Sequence, residues 1–465
     1  MMVFSSVVFL FCFFPVTFLV YWSLRDGLRN GWLLGASILF YAWGEPKYVF
    51  LILASTLVNF YLGLVTDNQD VPFRRKVALA VTVLFNLGVL VYFKYSVFFA
   101  GILRSLTGIE LQDTALVSQS PMPIGISFYT FQILSYQIDV YRRAVPVQKN
   151  VTKLGLYIML FPQMIAGPIV RYSDIAREID RREVTVPLVC AGLKRFMIGL
   201  SKKVLISNSM ALVADHAYGN IGVSGALSWL GAVCYMLQIY YDFSGYSDMA
   251  IGMGQMAGFH FQENFRHPYA AASVQDFWRR WHISLSSWFR DYLYIPLGGN
   301  RRGAVRTYGN LVTVFFITGL WHGASYSFIV WGLYHGLFLC LERIGGKKLL
   351  EKVPAPLAHA YALLEVLFGW ILFRADTLSD AASVIATMFS PAKWEPAAIL
   401  PIVSGETVFF LAAAVLCMCG APKKLSGLFR GRLIVLEDLC VLGVFVLTVL
   451  YAIGSDFDPF IYFRF

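Results

Sequence analysis

Charged residues are scarce in this chain. Asp, Glu, Lys and Arg make up 14% of its 465 residues, whereas soluble domains carry about 25%. Apolar residues reach 58%, and the mean hydropathy is +0.62. Because a soluble domain of this length needs far more charge to cover its surface, the composition excludes that class and predicts a protein embedded in a membrane.

Spacings that build disulfide frameworks or zinc sites are also missing. The seven cysteines show no Cys-x-x-Cys pattern, the nearest two being Cys417 and Cys419, and no His-Glu-x-x-His pattern occurs. Most of the cysteines lie inside apolar runs, where a buried thiol acts as a small hydrophobic group. We therefore expect no metal site and no bound cofactor.

Three signatures of other enzyme classes are absent as well. Without a Gly-x-Ser-x-Gly elbow, a hydrolase-type serine nucleophile is not expected. Without a phosphate-binding Gly-x-x-x-x-Gly-Lys-Ser/Thr loop, ATP hydrolysis is not expected either. None of the seven histidines has an aspartate five residues later, which excludes the His-x-x-x-x-Asp arrangement of the glycerolipid acyltransferases.

Long apolar runs fill most of the chain. Their length of about twenty residues crosses a hydrocarbon core about 30 Å thick, so they predict an all-α polytopic membrane protein with about ten to twelve transmembrane helices. The first run lacks a basic leader and a small-residue cleavage site, so we expect a retained helix. We expect one membrane domain over 1–465. The runs lie at 4–22, 31–43, 47–66, 77–99, 122–140, 153–170, 186–213, 226–259, 306–320, 324–342, 356–373, 400–419 and 433–453.

Basic residues lie mainly in the short loops between the runs. The net charge is +10, and a typical cluster is Arg74, Arg75 and Lys76. Basic loop residues mark the cytoplasmic ends of membrane spans. Cytoplasmic retention of these loops therefore explains the net charge, and nucleic-acid binding is not expected. The lipid bilayer is an expected partner of the protein.

One apolar run, 153–170, has basic residues at both ends. Arg142 and Arg143 precede it and Arg171 follows it, so both ends are predicted to be cytoplasmic although a single apolar segment separates them. The run contains Pro162 and a Gly-Pro pair that break a helix. A re-entrant element buried in protein fits these facts, and the alternative is an ordinary helix.

The segment Gln275–Tyr294 is too charged to cross a membrane. It combines arginines with tryptophan and phenylalanine, a composition typical of an amphipathic helix lying at the headgroup level. A helical wheel predicts one apolar face. That face consists of Phe277, Trp281, Leu285 and Trp288.

His322 is the best placed of the histidines. An ionisable group inside a membrane is costly, which makes it a functional candidate. His322 lies at a break between two runs, beside Gly319 and Gly323, which let backbone and ligand approach closely. A histidine that only donates a hydrogen bond between helices is the alternative. From the residues alone, His282 is predicted to be an interfacial polar residue and His335 a packing residue.

A polar and aromatic segment, Tyr240–Asp248, interrupts a long apolar stretch. Its carboxylates Asp242 and Asp248 need partners or water at membrane depth, so the segment is a candidate cavity lining. Their spacing of six residues does not place them on one helix face. Structural pairing with arginines is favoured over a paired acid and base.

These motifs together resemble the membrane-bound O-acyltransferase family, in particular its bacterial alginate O-acetyltransferase branch. The resemblance extends over nearly the whole chain. Its strongest part is the run Asp276-Phe-Trp-Arg-Arg-Trp-His-Ile-Ser-Leu-Ser286, followed by Arg290-Asp-Tyr-Leu-Tyr-Ile-Pro-Leu-Gly-Gly-Asn300 and Gly319-Leu-Trp-His-Gly323. Further matching segments are 3–6, 40–43, 123–129, 166–168, 241–248, 373–375 and the terminal 460–465.

The resemblance implies re-entrant and interfacial helices around a central funnel, with His322 deep inside it and His282 as a second catalytic histidine. It implies that His322 is the general base for an acceptor hydroxyl that attacks a cytoplasmic acyl thioester. His282 is expected to orient the donor or to polarise its carbonyl. The expected substrate-channel residues are Trp281, Trp321, Asp242, Ser244, Tyr246, Arg279 and Arg280.

The implied activity is transfer of an acyl group, most simply acetyl, toward a hydroxyl of an exported or cell-surface polysaccharide such as alginate or peptidoglycan. The donor is expected to be acetyl-CoA or a carrier-bound thioester, and a separate extracytoplasmic acetyltransferase is the expected partner. The expected location is the bacterial cytoplasmic (inner) membrane. Two alternatives stay open, which are D-alanyl transfer to teichoic acid and a transporter or flippase.

Overall fold

The structure, a computed structural model, describes residues 3–68, 71–418, 420, 434–454 and 460–461. All regular elements in these ranges are helical, which confirms the all-α polytopic fold. Residues 462–465 of the terminal motif and Cys419 lie outside the described residues. The α-helices are α1 (Phe14–Ser23), α2 (Asp26–Gly44), α3 (Val49–Asp67), α4 (Pro72–Thr107), α5 (Ile126–Tyr141), α6 (Val151–Met159), α7 (Phe161–Met164), α8 (Tyr172–Asp180), α9 (Val186–Ser201), α10 (Asn208–Gly219), α11 (Gly225–Met256), α12 (Val274–Arg280), α13 (Ile283–Phe289), α14 (Ala304–His322), α15 (Tyr326–Leu341), α16 (Lys347–Leu350), α17 (Ala355–Arg374), α18 (Leu378–Met388), α19 (Gly405–Met418) and α20 (Ile434–Gly454).

Six helices of the described part are long and apolar enough to cross a membrane. Three shorter apolar helices, Phe9–Ser23, Leu378–Met388 and Gly405–Met418, accompany them. The expected number of ten to twelve spans stays a prediction. The six candidate spans are Val49–Asp67, Pro72–Thr107, Val186–Gly219, Tyr326–Gly346, Ala355–Arg374 and Val435–Gly454.

The chain divides into two compact units, and the expectation of a single domain stays a prediction. The first unit comprises Met1–Phe196 and Ser247–Gln262. It contains the predicted break in the run 153–170, because α6 ends at Met159 and α7 forms a single turn. Every residue from 154 to 170 is buried. The protein therefore covers the interrupted backbone, as membrane-depth irregular structure requires.

Aromatic side chains of the first unit hold this broken segment in place. The ring of Phe161, at the start of α7, lies 5.4 Å from that of Phe13 and 5.6 Å from that of Phe40. The backbone N–H of Phe161 donates a hydrogen bond to the Ser37 hydroxyl. A side-chain oxygen thus replaces the helical acceptor that the break removes.

The second unit comprises Met197–Tyr246 and Glu263–Phe465, and in it the amphipathic segment forms two short helices. The prediction of one continuous helix is wrong, because His282 has a φ of +44° and separates α12 from α13. That left-handed backbone cannot continue a right-handed helix. The four residues of the predicted apolar face are all buried, and Trp281 packs 4.9 Å from the ring of Trp370. The apolar face thus packs on protein.

Helices α14 and α15 of the second unit form a hairpin with an unusually close crossing. A Cβ atom on Gly319 would lie 2.3 Å from the carbonyl oxygen of Phe328, and one on Gly332 would lie 2.2 Å from that of Phe315. Only glycine permits this backbone approach, which is a common way to pack helices in membranes. Because His322 is the last residue of α14, the crossing sets its position.

We predict that Gly319→Ala lowers the thermal unfolding midpoint of the purified protein in detergent. The added methyl group meets a backbone oxygen that cannot rotate away, and such overpacking costs about 1–3 kcal/mol. Gly309→Ala on the same helix is the matched control, since a Cβ there meets nothing within 4 Å and alanine is the better helix former. Equal midpoints for the two variants would contradict the close crossing.

Candidate active site

His322 lies in a cage of aromatic rings at the carboxyl end of α14. It is 6% exposed, and its ring centroid is 4.9 Å from that of Trp331 and 5.0 Å from that of Phe373, both in edge-on geometry. The ring of Trp321 is 4.8 Å away. The end of a helix favours a nearby positive charge, so this position suits an imidazole that gains a proton during a reaction.

His282 is fixed by hydrogen bonds to Asn264. Its Nδ1 lies 3.1 Å from Asn264 Oδ1, and the same oxygen accepts from the Ser284 backbone N–H and hydroxyl at 3.3 and 3.0 Å. Since a backbone N–H can only donate, the Asn264 atom is the amide oxygen. His282 Nδ1 must therefore carry a proton, which leaves Nε2 of the neutral ring as an acceptor.

Burial keeps His282 in this neutral form. The residue is 1% exposed, and desolvation lowers its pKa to about 3, because a buried imidazolium loses its hydration. Among the described residues, its Nε2 atom has no hydrogen-bond partner. A buried acceptor without a partner is uncommon in proteins, and it marks His282 as a site for a ligand hydroxyl or amide.

A line of ring contacts connects His282 to His335. The ring of Trp321 lies 6.2 Å from that of His282 and 4.8 Å from that of His322. The ring of Trp331 in turn lies 4.9 Å from His322 and 5.0 Å from His335. The structure thus brings together the two histidines predicted to be catalytic, joined by the indole of Trp321, and adds a third histidine joined to His322 by the indole of Trp331.

His335 makes a buried pair with a carboxylate that the sequence analysis did not single out. Its Nδ1 lies 2.8 Å from Glu365 Oε1, and both side chains are 1% exposed. The sequence predicted His335 to be a packing residue and gave it no partner. Glu365 lies within the apolar run 356–373, and a carboxylate in such a run is itself a signal of a buried polar role. The pair supports Trp331, which in turn contacts His322.

The predicted channel residues Asp242, Ser244 and Tyr246 all lie on α11, the helix that carries Phe243. Asp242 forms an ion pair with Lys203 at 2.8 Å and accepts the Ile461 backbone N–H at 2.6 Å. It therefore anchors the end of the described chain. Tyr246 packs 4.9 Å from the ring of Phe460, and Phe243 contacts the His282 ring at 4.6 Å.

Two carboxylates of α11, Asp242 and Asp248, have cationic partners. The sequence favoured such structural pairing over a paired acid and base. Asp248 accepts two hydrogen bonds from Arg195, at 3.0 and 2.8 Å. The cation beside Asp242 is a lysine instead of an arginine. Ser244 is different, because its hydroxyl is buried and has no partner among the described residues.

The remaining predicted channel residues have distinct environments. Trp281 is buried, and its ring stacks on that of Phe277 at 5.5 Å. Arg280 pairs with Asp276 at 2.9 Å. Arg279 is exposed and lines a polar cavity between α12 and the end of α15.

We predict that Glu365→Ala strongly destabilises the protein, whereas Glu365→Gln has a smaller effect. Removing the Glu365 carboxyl group leaves the buried ring nitrogen of His335 without its hydrogen-bond partner, which costs about 1–3 kcal/mol, while a glutamine still offers His335 an acceptor oxygen. Thermal unfolding midpoints of the two variants in detergent measure the difference. A midpoint for Glu365→Ala equal to that of the wild type would exclude the pair as a structural contact.

We also predict that acid destabilises the wild type more than His282→Asn. The folded chain keeps His282 neutral down to about pH 3, whereas an unfolded histidine titrates near 6.5. Between these values the unfolded state binds one more proton, so the free energy of unfolding falls as the pH drops. Asparagine tolerates the left-handed backbone and removes this titration.

The measurement is the thermal midpoint of both proteins at about pH 7 and about pH 5, on either side of the unfolded-state pKa. The midpoint of the wild type is expected to fall further than that of His282→Asn. An identical fall in both proteins would show that His282 takes up a proton in the folded state.

Comparisons with known proteins identify the family of the chain. Residues 143–373 match the membrane-bound O-acyltransferase family. The chain is 39% identical to the probable alginate O-acetylase of Pseudomonas putida, over the full length of both proteins. It is 33% identical to the peptidoglycan O-acetyltransferase of Helicobacter pylori, with 83% of this chain and 80% of that protein covered.

A more distant likeness joins the chain to the teichoic acid D-alanyltransferase of Bacillus subtilis, at 29% identity over 46% of this chain and 58% of that protein. The family match agrees with the likeness to an O-acetylase over the full length of both chains. The chain belongs to the membrane-bound O-acyltransferase family and is an O-acyltransferase.

Proposed function

We propose that the protein moves an acetyl group from a cytoplasmic thioester donor to a hydroxyl of an exported or cell-surface polysaccharide. The named activities of the two relatives support the acetyl group and the polysaccharide acceptor. The observation that carries the proposal is the unpartnered acceptor atom of His282, one indole away from His322. A hydroxyl bound there lies beside a second imidazole.

In the proposed reaction, His322 removes the proton of the acceptor hydroxyl. The oxygen then attacks the thioester carbonyl carbon, the new C–O bond forms, and the C–S bond breaks. The departing thiolate takes the proton from the His322 imidazolium, which returns to its neutral form. General base catalysis of this kind contributes about 10²–10⁴-fold to the rate.

The tautomer of His282 defines its part in this reaction. Because Nδ1 donates to Asn264, Nε2 accepts a hydrogen bond and cannot donate one to a carbonyl. We therefore assign His282 to holding the acceptor hydroxyl or a donor amide N–H, in place of the expected role in polarising the carbonyl. Trp331 offers the complementary group, since its buried indole N–H has no acceptor among the described residues.

The donor, the partner and the location belong to the same proposal. We expect acetyl-CoA or a carrier-bound acetyl thioester on the cytoplasmic side of the bacterial inner membrane. A separate extracytoplasmic acetyltransferase is the expected partner for delivery to the polysaccharide. The candidate spans support a multi-pass location, and the exposed Arg279 is a candidate contact for a phosphate-bearing donor.

We predict that His322→Gln reduces acetyl transfer at least about 10²-fold, because glutamine cannot take up the hydroxyl proton. Acetyl esters on the polysaccharide, measured by mass spectrometry in a deletion strain that carries each variant, report the effect. His216→Gln is the matched control, since His216 is exposed on α10. Normal acetylation by folded His322→Gln would rule out His322 as the base.

A further inference from the structure

A polar cavity of about 440 Å³ lies beside α12, at the end of α15. Its volume is within the usual range for small-ligand sites. We call it the basic cavity. Its polar lining consists of Gln275, Arg279, Asn300, Glu342, Arg343 and Lys348.

The single carboxylate of the basic cavity is already engaged. Glu342 accepts hydrogen bonds from the backbone N–H groups of Val274 and Gln275, at 2.7 and 3.0 Å. It is 4% exposed, so it fastens the end of α15 to the start of α12. Both carboxylate oxygens of Glu342 are therefore occupied by charge-assisted hydrogen bonds.

The three cations of the basic cavity are available to a ligand. Arg279, Arg343 and Lys348 are all exposed, and none of them makes a salt bridge within the described residues. The side-chain oxygen of Asn300 accepts from the Tyr294 hydroxyl, which directs the amide NH₂ group to act as a donor. A cavity with three cations, an amide donor and one occupied carboxylate selects an anion.

Apolar side chains continue from the rim of this cavity over the surface. Ile344 is 68% exposed and lines the cavity, and Leu341 and Leu349 on the same segment are 49% and 65% exposed. Cationic groups next to exposed apolar side chains match a molecule with an anionic head and an apolar tail.

From these observations we propose that the basic cavity binds a phosphate group. Its two possible sources are the headgroup of an anionic phospholipid and a water-soluble phosphate such as that of a thioester donor. The apolar rim favours the lipid. Only the second source rests on the proposed function, since a lipid site needs no acyl donor.

Titration of purified protein in detergent tests the proposal with two probes. The first is short-chain phosphatidylglycerol, with short-chain phosphatidylcholine as its zwitterionic comparison, and the second is coenzyme A. Arg343→Gln is the test variant. Arg306→Gln is its control, because Arg306 is an exposed arginine of α14 outside the cavity.

We expect Arg343→Gln to bind phosphatidylglycerol about tenfold more weakly, which corresponds to about 1.4 kcal/mol for one lost charged contact. Arg306→Gln should keep the wild-type affinity. If coenzyme A shows this dependence on Arg343 instead, the phosphate comes from a soluble molecule. Affinities for both probes that are unchanged in Arg343→Gln would overturn the site.

The same titrations on His322→Gln separate this site from the catalytic proposal. His322→Gln should bind phosphatidylglycerol as tightly as the wild type, because His322 does not line the cavity. Adding Arg343→Gln to that variant should weaken the binding as it does in the wild type. If the wild type transferred no acetyl group and still bound phosphatidylglycerol through Arg343, the proposed function would fail while the phosphate site would stand.

Discussion

The close crossing of α14 and α15 is the constraint on which the candidate active site depends. At Gly319 and Gly332 the two backbones approach so closely that no side chain fits between them. Without a hydrophobic driving force between helices in lipid, such contacts supply the packing energy. The crossing places His322 at the end of α14 and Trp331 on α15 against each other. A small-residue contact therefore determines the geometry of a polar site.

Around that crossing, each histidine is held by a different kind of neighbour. His322 has aromatic rings on its faces and edges, His282 has an amide partner, and His335 has a carboxylate. A neutral imidazole can take up the proton of a bound hydroxyl. The amide partner fixes the tautomer of His282, and His322 is only 6% exposed. In the proposed reaction, this arrangement favours transfer of the proton from a bound hydroxyl to His322 over exchange with solvent.

Sequence patterns predicted much of this architecture because the free-energy cost of polar groups in lipid restricts which residues a membrane helix can contain. That cost predicted the apolar runs of spanning length, the break near Pro162 and the placement of His322. The break at His282 was not predicted, because a helical wheel assumes a continuous helix and cannot detect one left-handed residue. The Glu365 partner of His335 was also missed, since nothing in the spacing relates residues on separate helices.

The central claim is that this protein makes an ester bond and does not move a substrate across the membrane. The most direct test follows an isotope-labelled acetyl thioester in a single turnover with purified protein, the proposed extracytoplasmic acetyltransferase and a polysaccharide acceptor. The account predicts that the label leaves the thioester and appears as an ester on a hydroxyl, with one thiol released for each ester formed. Label that stays on the thioester, or crosses a vesicle membrane unchanged, would contradict it.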